Sequence, residues 1–168
     1  MTVTVEMPVL QRLRHEHAAA LLAFEPENRA YFAASISDRG DEYFREFDAR
    51  LISVLDEQAA GIAHLHVLVE GDGAIVGRIN LFDVTGTLAT LGYRIAQRAA
   101  GRGLATAAVN QICEIAARDY GLTELRAATS RENAASQAVL AHNGFVLLGE
   151  TTTVGGRPAI QFVRQLER

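Results

Sequence analysis

Residues 101–108, GRGLATAA, have the composition of a segment that holds an anion. Two glycines flank Arg102, and the residues that follow suit a helix. The first N–H groups of a helix have no partner within it, and the helix dipole adds positive charge there. Because Gly101 and Gly103 carry no side chain, an anion can reach the backbone, and Arg98 could add charge. The segment is a candidate pyrophosphate site; a strand–helix turn without a ligand is the alternative.

Two common phosphate-binding motifs do not match this segment. A P-loop requires a lysine, and all 16 basic residues of the chain are arginines. A dinucleotide-binding fingerprint requires a third glycine where Thr106 stands, and it normally lies in the first βαβ unit of a chain. The phosphate, if one binds, therefore belongs to another ligand.

Length, charge and cysteine content exclude several classes of protein. With 168 residues, we expect a single domain over residues 1–168. The net charge of −4 argues against a nucleic-acid partner. The sequence has no apolar run of transmembrane length and no signal-peptide pattern, which predicts a cytoplasmic protein without a membrane partner. The single cysteine, Cys113, excludes an internal disulfide and a cysteine-rich zinc site.

The hydrophobic periodicity predicts an α+β domain. The expected order is a strand, two helices, three strands, a helix, a strand, a helix and two strands. Pro26 is expected to kink or divide the first helix. The predicted elements occupy residues 8–14, 15–35, 41–58, 64–69, 74–84, 87–96, 104–120, 123–129, 132–144, 145–151 and 159–166, with a final turn at Gly155-Gly156.

The connections between these elements predict the sheet. Short turns favour antiparallel pairing, whereas the crossover through the helix that starts at Leu104 makes residues 87–96 and 123–129 parallel. We therefore expect a mixed, mostly antiparallel sheet with about four flanking helices. His64 and His66 would share one strand face, but two histidines without a third ligand are more often structural, so no metal is expected.

A second segment, ATSRENAASQAVLAHNGF at residues 128–145, carries the pattern N-x-x-S-x-x-V-L-x-x-x-G-F. Together with GRGLATAA, it resembles the GCN5-related N-acetyltransferase (GNAT) superfamily, and most of all its RimJ/RimL-like branch. The resemblance covers about residues 65–166. One departure is Ala100, which stands where the family's phosphate turn begins with Arg or Gln. The matching residues of the second motif are Asn133, Ser136, Val139, Leu140, Gly144 and Phe145.

The resemblance implies acetyl-CoA as the co-substrate and a GNAT fold in which the two central parallel strands splay apart. Pantetheine would lie in that gap and the pyrophosphate at the glycine turn. The residues implied in coenzyme binding are Tyr93, Arg94, Ile95, Ala100, Gly101, Arg102, Gly103, Leu104, Ala105, Thr106, Asn133 and Ser136. Asn133 could equally serve as a plain helix N-cap.

The resemblance also implies the reaction, acetyl transfer to a primary amine. The acceptor would be a protein N-terminal alanine or serine, or a small-molecule amine. Leu140 stands where many GNAT enzymes have the tyrosine that protonates the leaving thiolate, so Ser136 is the candidate acid; a capping or packing hydroxyl is its alternative. A backbone N–H near Ile95 would stabilise the oxyanion.

The general base is not evident, because Ala128 replaces a glutamate that other relatives carry. Asp83, Glu132, Glu150 or a water held between them are candidates.

Ala159-Ile160 replaces an Asp-His pair of some RimJ/RimL-like members, which puts ribosomal-protein specificity in doubt. An acyl-CoA sensor without catalysis, a structural subunit and a homodimer stay open. Acidic residues of the early helices could attract a cationic acceptor or form a solvated face: Glu25, Glu27, Asp38, Asp41 and Glu42.

Overall fold

The computed structural model describes residues 7–154 and 157–167, apart from the side chains of 150–154 and 157. Within these residues the chain forms seven strands and six α-helices; the predicted turn at Gly155-Gly156 lies outside them. The strands are β1 (Val9–Arg12), β2 (His64–Val69), β3 (Ile75–Thr85), β4 (Leu88–Ile95), β5 (Glu124–Ser130), β6 (Val146–Val154) and β7 (Arg157–Gln165). The helices are α1 (Ala18–Glu27), α2 (Arg29–Ala33), α3 (Asp41–Arg45), α4 (Phe47–Ala59), α5 (Leu104–Arg118) and α6 (Ala134–His142).

The strands form one mixed sheet in the order β1-β2-β3-β4-β5-β7-β6. The pair β4–β5 is parallel, and the other described pairs are antiparallel. This arrangement agrees with the predicted mixed sheet, and within the described residues α5 is the crossover that joins the two parallel strands.

The two parallel strands separate after three paired residues. Pairing runs from Leu88 opposite Glu124 to Thr90 opposite Arg126. Beyond Thr90, β4 continues to Ile95 with β3 on one side, while β5 continues to Ser130 with β7 on its far side. The facing edges of Leu91–Ile95 and the second half of β5 therefore line a gap in the middle of the sheet, as the family resemblance implied.

The two predicted early helices are each divided, which gives six α-helices rather than about four. The first breaks at Asn28, two residues after Pro26, where Asn28 adopts a φ of −105° and a ψ of 5°. Its side chain competes for a helix carbonyl, because Nδ2 donates to the Phe24 carbonyl at 2.9 Å. The second breaks at Glu46, between α3 and α4. No helix among the described residues has the length and apolar character needed to cross a bilayer.

Helices pack on both faces of the sheet. Side chains alternate along β4, so Leu91, Tyr93 and Ile95 share one face and Gly92 and Arg94 the other. Tyr93 contacts α6, and Arg94 contacts α1. We call these the α6 face and the α1 face of the gap. Both layers contribute to one hydrophobic core, whose central members include Phe24, Leu21, Ile79, Leu81, Ile112, Leu125 and Leu140.

Candidate acetyl-transfer site at the splayed strands

The N-terminus of α5 opens onto the exposed glycine turn. Gly101 and Gly103 have φ values of 77° and 73°, a region that residues with a side chain rarely adopt. A Cβ built on either glycine would meet no atom within 4 Å, so both positions border open space. The glycines are thus required by the backbone conformation, and they also leave room for a ligand.

The first turn of α5 presents donors without partners. The first helical bond runs from the Ala107 N–H to the Gly103 carbonyl at 3.1 Å. The N–H groups of Leu104, Ala105 and Thr106 therefore have no acceptor within the helix, and no side chain caps them. Leu104 is buried and fixes the helix on the sheet. Such a helix end is suited to a phosphate.

The two arginines beside this turn differ in their surroundings. Arg102 is exposed between the glycines. Arg98 lies in a 3-10 turn and forms an ion pair with Glu70 of the β2–β3 turn at 2.5 Å. Ala100 precedes the turn in an extended conformation. Arg102 is thus the better placed of the two to meet an anion at α5.

α6 starts at a side-chain cap. The Asn133 Oδ1 accepts a hydrogen bond from the Ser136 N–H at 3.1 Å, so Asn133 is the N-cap of this helix. At the other end, Asn143 Nδ2 donates to the Thr106 carbonyl at 3.2 Å. These contacts tie α6 to the first turn of α5. The two helices border an open cleft of about 590 Å³, lined by Gly103, Thr106, Ala107, Asn110, Gln111, His142 and Asn143.

A pair of hydroxyl groups bridges the gap on its α6 face. The Tyr93 hydroxyl lies 2.9 Å from the Ser136 Oγ and 3.4 Å from the Ser136 carbonyl. Burial raises the pKa of Tyr93, and the Ser136 hydrogen bond opposes that shift only in part. The phenol therefore stays protonated at neutral pH. Leu140, where many GNAT enzymes have a tyrosine, is buried in the core.

The hydrogen bond between the Tyr93 hydroxyl and Ser136 was not predicted from the sequence. The family resemblance implied Tyr93 only as a coenzyme-binding residue. The signal that could have found the hydroxyl is the alternation along β4, which places Tyr93 on the helix-covered face shared with the buried Leu91.

On the α1 face, a buried carboxylate meets three arginines. Glu25 of α1 is 1% exposed, and its carboxylate lies 2.8 Å from Arg39 Nε, 2.9 Å from Arg78 Nη1 and 3.7 Å from Arg94 Nη1. Burial raises the pKa of Glu25, but the attraction of these three arginines outweighs burial and holds the pKa below its usual value. This cluster, Glu25 with Arg39, Arg78 and Arg94, is the glutamate–arginine cluster below.

The cluster changes the expectation for the acidic early helices. Glu25 is covered by arginines, and Asp38 and Asp41 both bond to Arg29 at 2.8 Å. Glu27 and Glu42, the other two acidic residues of this region, are exposed and form no ion pair among the described residues. Three of the five carboxylates are therefore paired with arginines.

The side chain of Arg94 points away from the α6 face. Besides Glu25, it contacts the ring of Phe32, with the guanidinium carbon 4.8 Å from the ring centroid. Burial lowers the pKa of Arg94 to about 10, and the neighbouring Arg39 contributes in the same direction. A contact between Arg94 and the coenzyme would thus involve its backbone, whereas the side chain faces the α1 layer.

The candidate bases are scattered. Asp83 follows Phe82, which pairs with Thr90, so it lies about four residues, or roughly 13 Å, along the sheet from the level of Tyr93. Glu132 is exposed in the turn before α6. The side chain of Glu150 lies outside the described residues. Ala128 is exposed on β5, and Ala159 is buried on β7.

The two strand histidines pack against an aromatic ring. His64 stacks on Tyr120 with ring centroids 3.7 Å apart, and His66 Nε2 lies 2.7 Å from the Tyr120 hydroxyl. Burial lowers the pKa of His66 to about 4, so this imidazole is neutral at pH 7. Cys113 is buried in α5, and burial raises the pKa of its thiol. In the described ranges no group of three or more His, Cys, Asp or Glu residues could hold a metal.

Comparison with known proteins identifies the family. Residues 9–146 match the family model described as "Acetyltransferase (GNAT) domain". A curated relative, "Probable N-acetyltransferase YjcK" of Bacillus subtilis, is 27% identical over 130 residues, which are 74% of this chain and 72% of that protein.

Solved structures share the fold over nearly the full chain. Ribosomal-protein-S5-alanine acetyltransferase from Vibrio fischeri has a TM-score of 0.89 at 21% identity, covering 99% of this chain and 97% of that one. RimJ from Mycobacterium smegmatis, in complex with a CoA-disulfide, has a TM-score of 0.84 at 22% identity, covering 96% of this chain and 85% of that one. Spermidine N-acetyltransferase from Vibrio cholerae, in complex with CoA and spermine, has a TM-score of 0.77 at 16% identity over 94% of both chains.

At these identities the solved structures establish the fold, and the family model, which spans most of the chain, establishes membership. The chain belongs to the GNAT acetyltransferase family.

Proposed function

We propose that this acetyltransferase moves an acetyl group from acetyl-CoA to a primary amine within the gap between β4 and β5. The observation that carries the proposal is the adjacency of two features. The splayed edge of β4 ends at Ile95, and eight residues later the uncapped N-terminus of α5 begins behind Gly103. A ligand with an extended polar chain and a pyrophosphate would satisfy both.

Backbone direction supports a strand-like contact with pantetheine. The Ala96 N–H donates to the Val76 carbonyl of β3 at 2.8 Å. Because successive N–H groups of a strand point to opposite sides, those of Tyr93 and Ile95 are directed into the gap. These two donors would hydrogen-bond the amide groups of pantetheine and the thioester oxygen, which places the oxyanion donor among the β4 N–H groups near Ile95.

The pyrophosphate would lie on the open side of Gly101 and Gly103. There it would accept hydrogen bonds from the first turn of α5, and Arg102 would add a positive charge. The nucleotide would continue into the cleft between α5 and α6, which Asn143 holds in place through Thr106. Asn133 positions this wall by capping α6.

The hydroxyl pair would protonate the departing thiolate. The amine nitrogen attacks the thioester carbonyl, the tetrahedral intermediate collapses, and the sulfur leaves as a thiolate that needs a proton. Ser136 is the donor in this scheme. Tyr93, 2.9 Å away and protonated, passes its proton on to Ser136, and solvent then reprotonates the phenolate. A water at the gap would accept the amine proton.

A thiol-release assay tests the proposed function. Purified protein with acetyl-CoA is mixed separately with peptides that begin with alanine or serine, with spermidine, with aminoglycosides and with free amino acids. We expect thiol release that depends on one acceptor class, together with a product 42 Da heavier, about the mass that an acetyl group adds. Tight acetyl-CoA binding with no product from any acceptor would favour the sensor alternative.

A further inference from the structure

The glutamate–arginine cluster has an excess of positive charge beside the gap. Three guanidinium groups face one carboxylate, and no other carboxylate of the described chain forms an ion pair with Arg39, Arg78 or Arg94. Asp38 and Asp41, the nearest acidic residues in sequence to Arg39, are bound by Arg29. Glu25 therefore neutralises about one of the three charges, and a second anion would be attracted.

Several donors of the cluster lack an acceptor. Arg94 approaches Glu25 at 3.7 Å, beyond hydrogen-bond distance, and none of the hydrogen bonds among described residues has its guanidinium as donor. Arg78, whose side chain is 7% exposed, has a buried Nε without a hydrogen-bond partner in the described part of the chain. A buried donor without an acceptor is costly, so the Arg78 Nε and the guanidinium of Arg94 favour the approach of an anion.

The cluster is open enough to admit that partner. The side chain of Arg39 is 25% exposed and that of Arg94 is 15% exposed. Both guanidinium groups lie over aromatic rings, Arg39 over Tyr43 at 4.7 Å and Arg94 over Phe32 at 4.8 Å. The rings and Glu25 hold the arginines in place, so less conformational freedom is lost when an anion binds.

The cluster also lies next to the reacting centre. Arg94 stands between Tyr93 and Ile95, whose N–H groups face the gap. Arg78 is its direct neighbour on β3, and Asn80 follows two residues later on the same α1 face, opposite Gly92. The Asn80 Oδ1 is buried and has no hydrogen-bond partner among the described residues. It can accept a hydrogen bond from an amine or ammonium group.

We propose that the acceptor is a small amine that also carries a carboxylate, such as a free amino acid, and that Arg39 and Arg94 bind this carboxylate. Asn80 accepts a hydrogen bond from the amino group, and the amine is thereby oriented toward the thioester in the gap. Arg78 orders Glu25 and the neighbouring arginines. This proposal rests on the acetyl transfer proposed above and assigns its acceptor class; a polyamine, which has no anionic group, does not fit the cluster.

Matched acceptor pairs test the assignment. Each of the twenty amino acids is assayed as the free acid and as its carboxamide, which removes the negative charge and keeps the amine. We expect the preferred free acid to have a kcat/KM at least tenfold above its amide. In Arg94→Gln and in Arg39→Gln, that ratio should fall at least tenfold through KM of the acceptor, while KM of acetyl-CoA stays within threefold. Arg45→Gln, an exposed arginine of α3, is the control and should keep the wild-type ratio.

Other results overturn the assignment. A preference for the amides, for spermidine or for alanine- or serine-initiated peptides would contradict it, and so would an acid preference that both variants retain. Where no acceptor releases thiol, the proposed function fails, and a second measurement still tests the anion site. The N-acetyl derivatives of the amino acids should raise the melting temperature of the wild type by more than they raise that of the Arg94→Gln variant. The carboxamides of these N-acetyl derivatives should not raise the melting temperature of the wild type. Equal increases for the wild type and Arg94→Gln, or for the acids and their carboxamides, would contradict the anion site.

Discussion

Replacing Glu25 by alanine should destabilise the fold by about 3 kcal/mol, because the loss of one partner leaves the others uncompensated in a buried site. Glu25 is 1% exposed and is the carboxylate that Arg39, Arg78 and Arg94 share. The partial exposure of Arg39 and Arg94 keeps the expected cost near the lower end for such sites. In a thermal melt of this chain length, the loss corresponds to a decrease of roughly 6–12 °C.

Two further variants separate charge from packing. Glu25→Gln keeps the size of the side chain but removes its charge, and this variant should still be less stable than the wild type. Adding Arg78→Met to it should restore part of the loss, since removing both partners of a buried pair is often nearly neutral. Glu16→Gln, whose side chain is 81% exposed and 3.8 Å from Arg14, should melt as the wild type does. An unchanged melting temperature for Glu25→Ala would contradict the cluster.

The stabilisation from Glu25 should depend on pH in one direction. Its pKa is lower in the folded chain than in the unfolded one, where it is about 4.3. Folding therefore favours the ionised form of Glu25, and its contribution to the free energy of unfolding is fully present above the pKa of the unfolded chain. It is lost as the pH falls through the folded pKa. Denaturant titrations at pH 7 and at pH 3 should show a larger difference between wild type and Glu25→Gln at pH 7.

Removing either hydroxyl of the Tyr93–Ser136 pair should lower kcat about 10²-fold, the lower range for the loss of a general acid. Ser136→Ala removes the proposed donor to the thiolate, and Tyr93→Phe removes its hydrogen-bond partner at 2.9 Å. Because the two act as one unit, the double variant should be about as slow as the slower single variant. KM of acetyl-CoA should change less than threefold, since binding rests on backbone donors of β4 and α5.

The control for this pair is Tyr31→Phe, an exposed tyrosine of α2, which should keep the wild-type rate. A near-wild-type kcat for Ser136→Ala would contradict the proton-donor role and leave Ser136 as a residue of the helix start. If Tyr93→Phe alone is slow, the phenol itself protonates the thiolate. The raised pKa of Tyr93 fits that outcome also, because a buried phenol retains its proton.

The sequence pattern was sufficient for the order of the elements and for the parallel central pair, whereas the splaying of that pair was implied by the family resemblance. Strand alternation and short turns indicated β2, β3 and β4, and the single crossover through α5 required β4 and β5 to be parallel. The positive φ values of Gly101 and Gly103 agree with the loop expected there. Local rules were enough because turns, caps and periodicity act over a few residues.

Contacts between segments that are distant along the chain could not be predicted from the sequence. The glutamate–arginine cluster joins positions 25, 39, 78 and 94, and no local pattern links α1 to β3 and β4. Glu25 looked like one acidic residue of a solvated helix, whereas packing of α1 on the sheet buries it. The break at Asn28 depends on a long-range contact too, since Asn28 Oδ1 accepts from the Gln97 N–H at 3.0 Å. Such residues can be assigned only once the packing of the helices is known.

Calorimetric titration with acetyl-CoA tests the central claim, which is that β4 and the N-terminus of α5 form a coenzyme site. We expect saturable binding to the wild type and at least tenfold weaker binding to Gly103→Val, whose side chain would occupy the open space beside α5. Gly86→Val is the matched control: Gly86 also has a positive φ, 60°, and an open Cβ position, but it lies in the β3–β4 turn at the opposite end of β4. It should bind as the wild type does. Absence of binding to the wild type, or equal binding to Gly103→Val, would contradict the account.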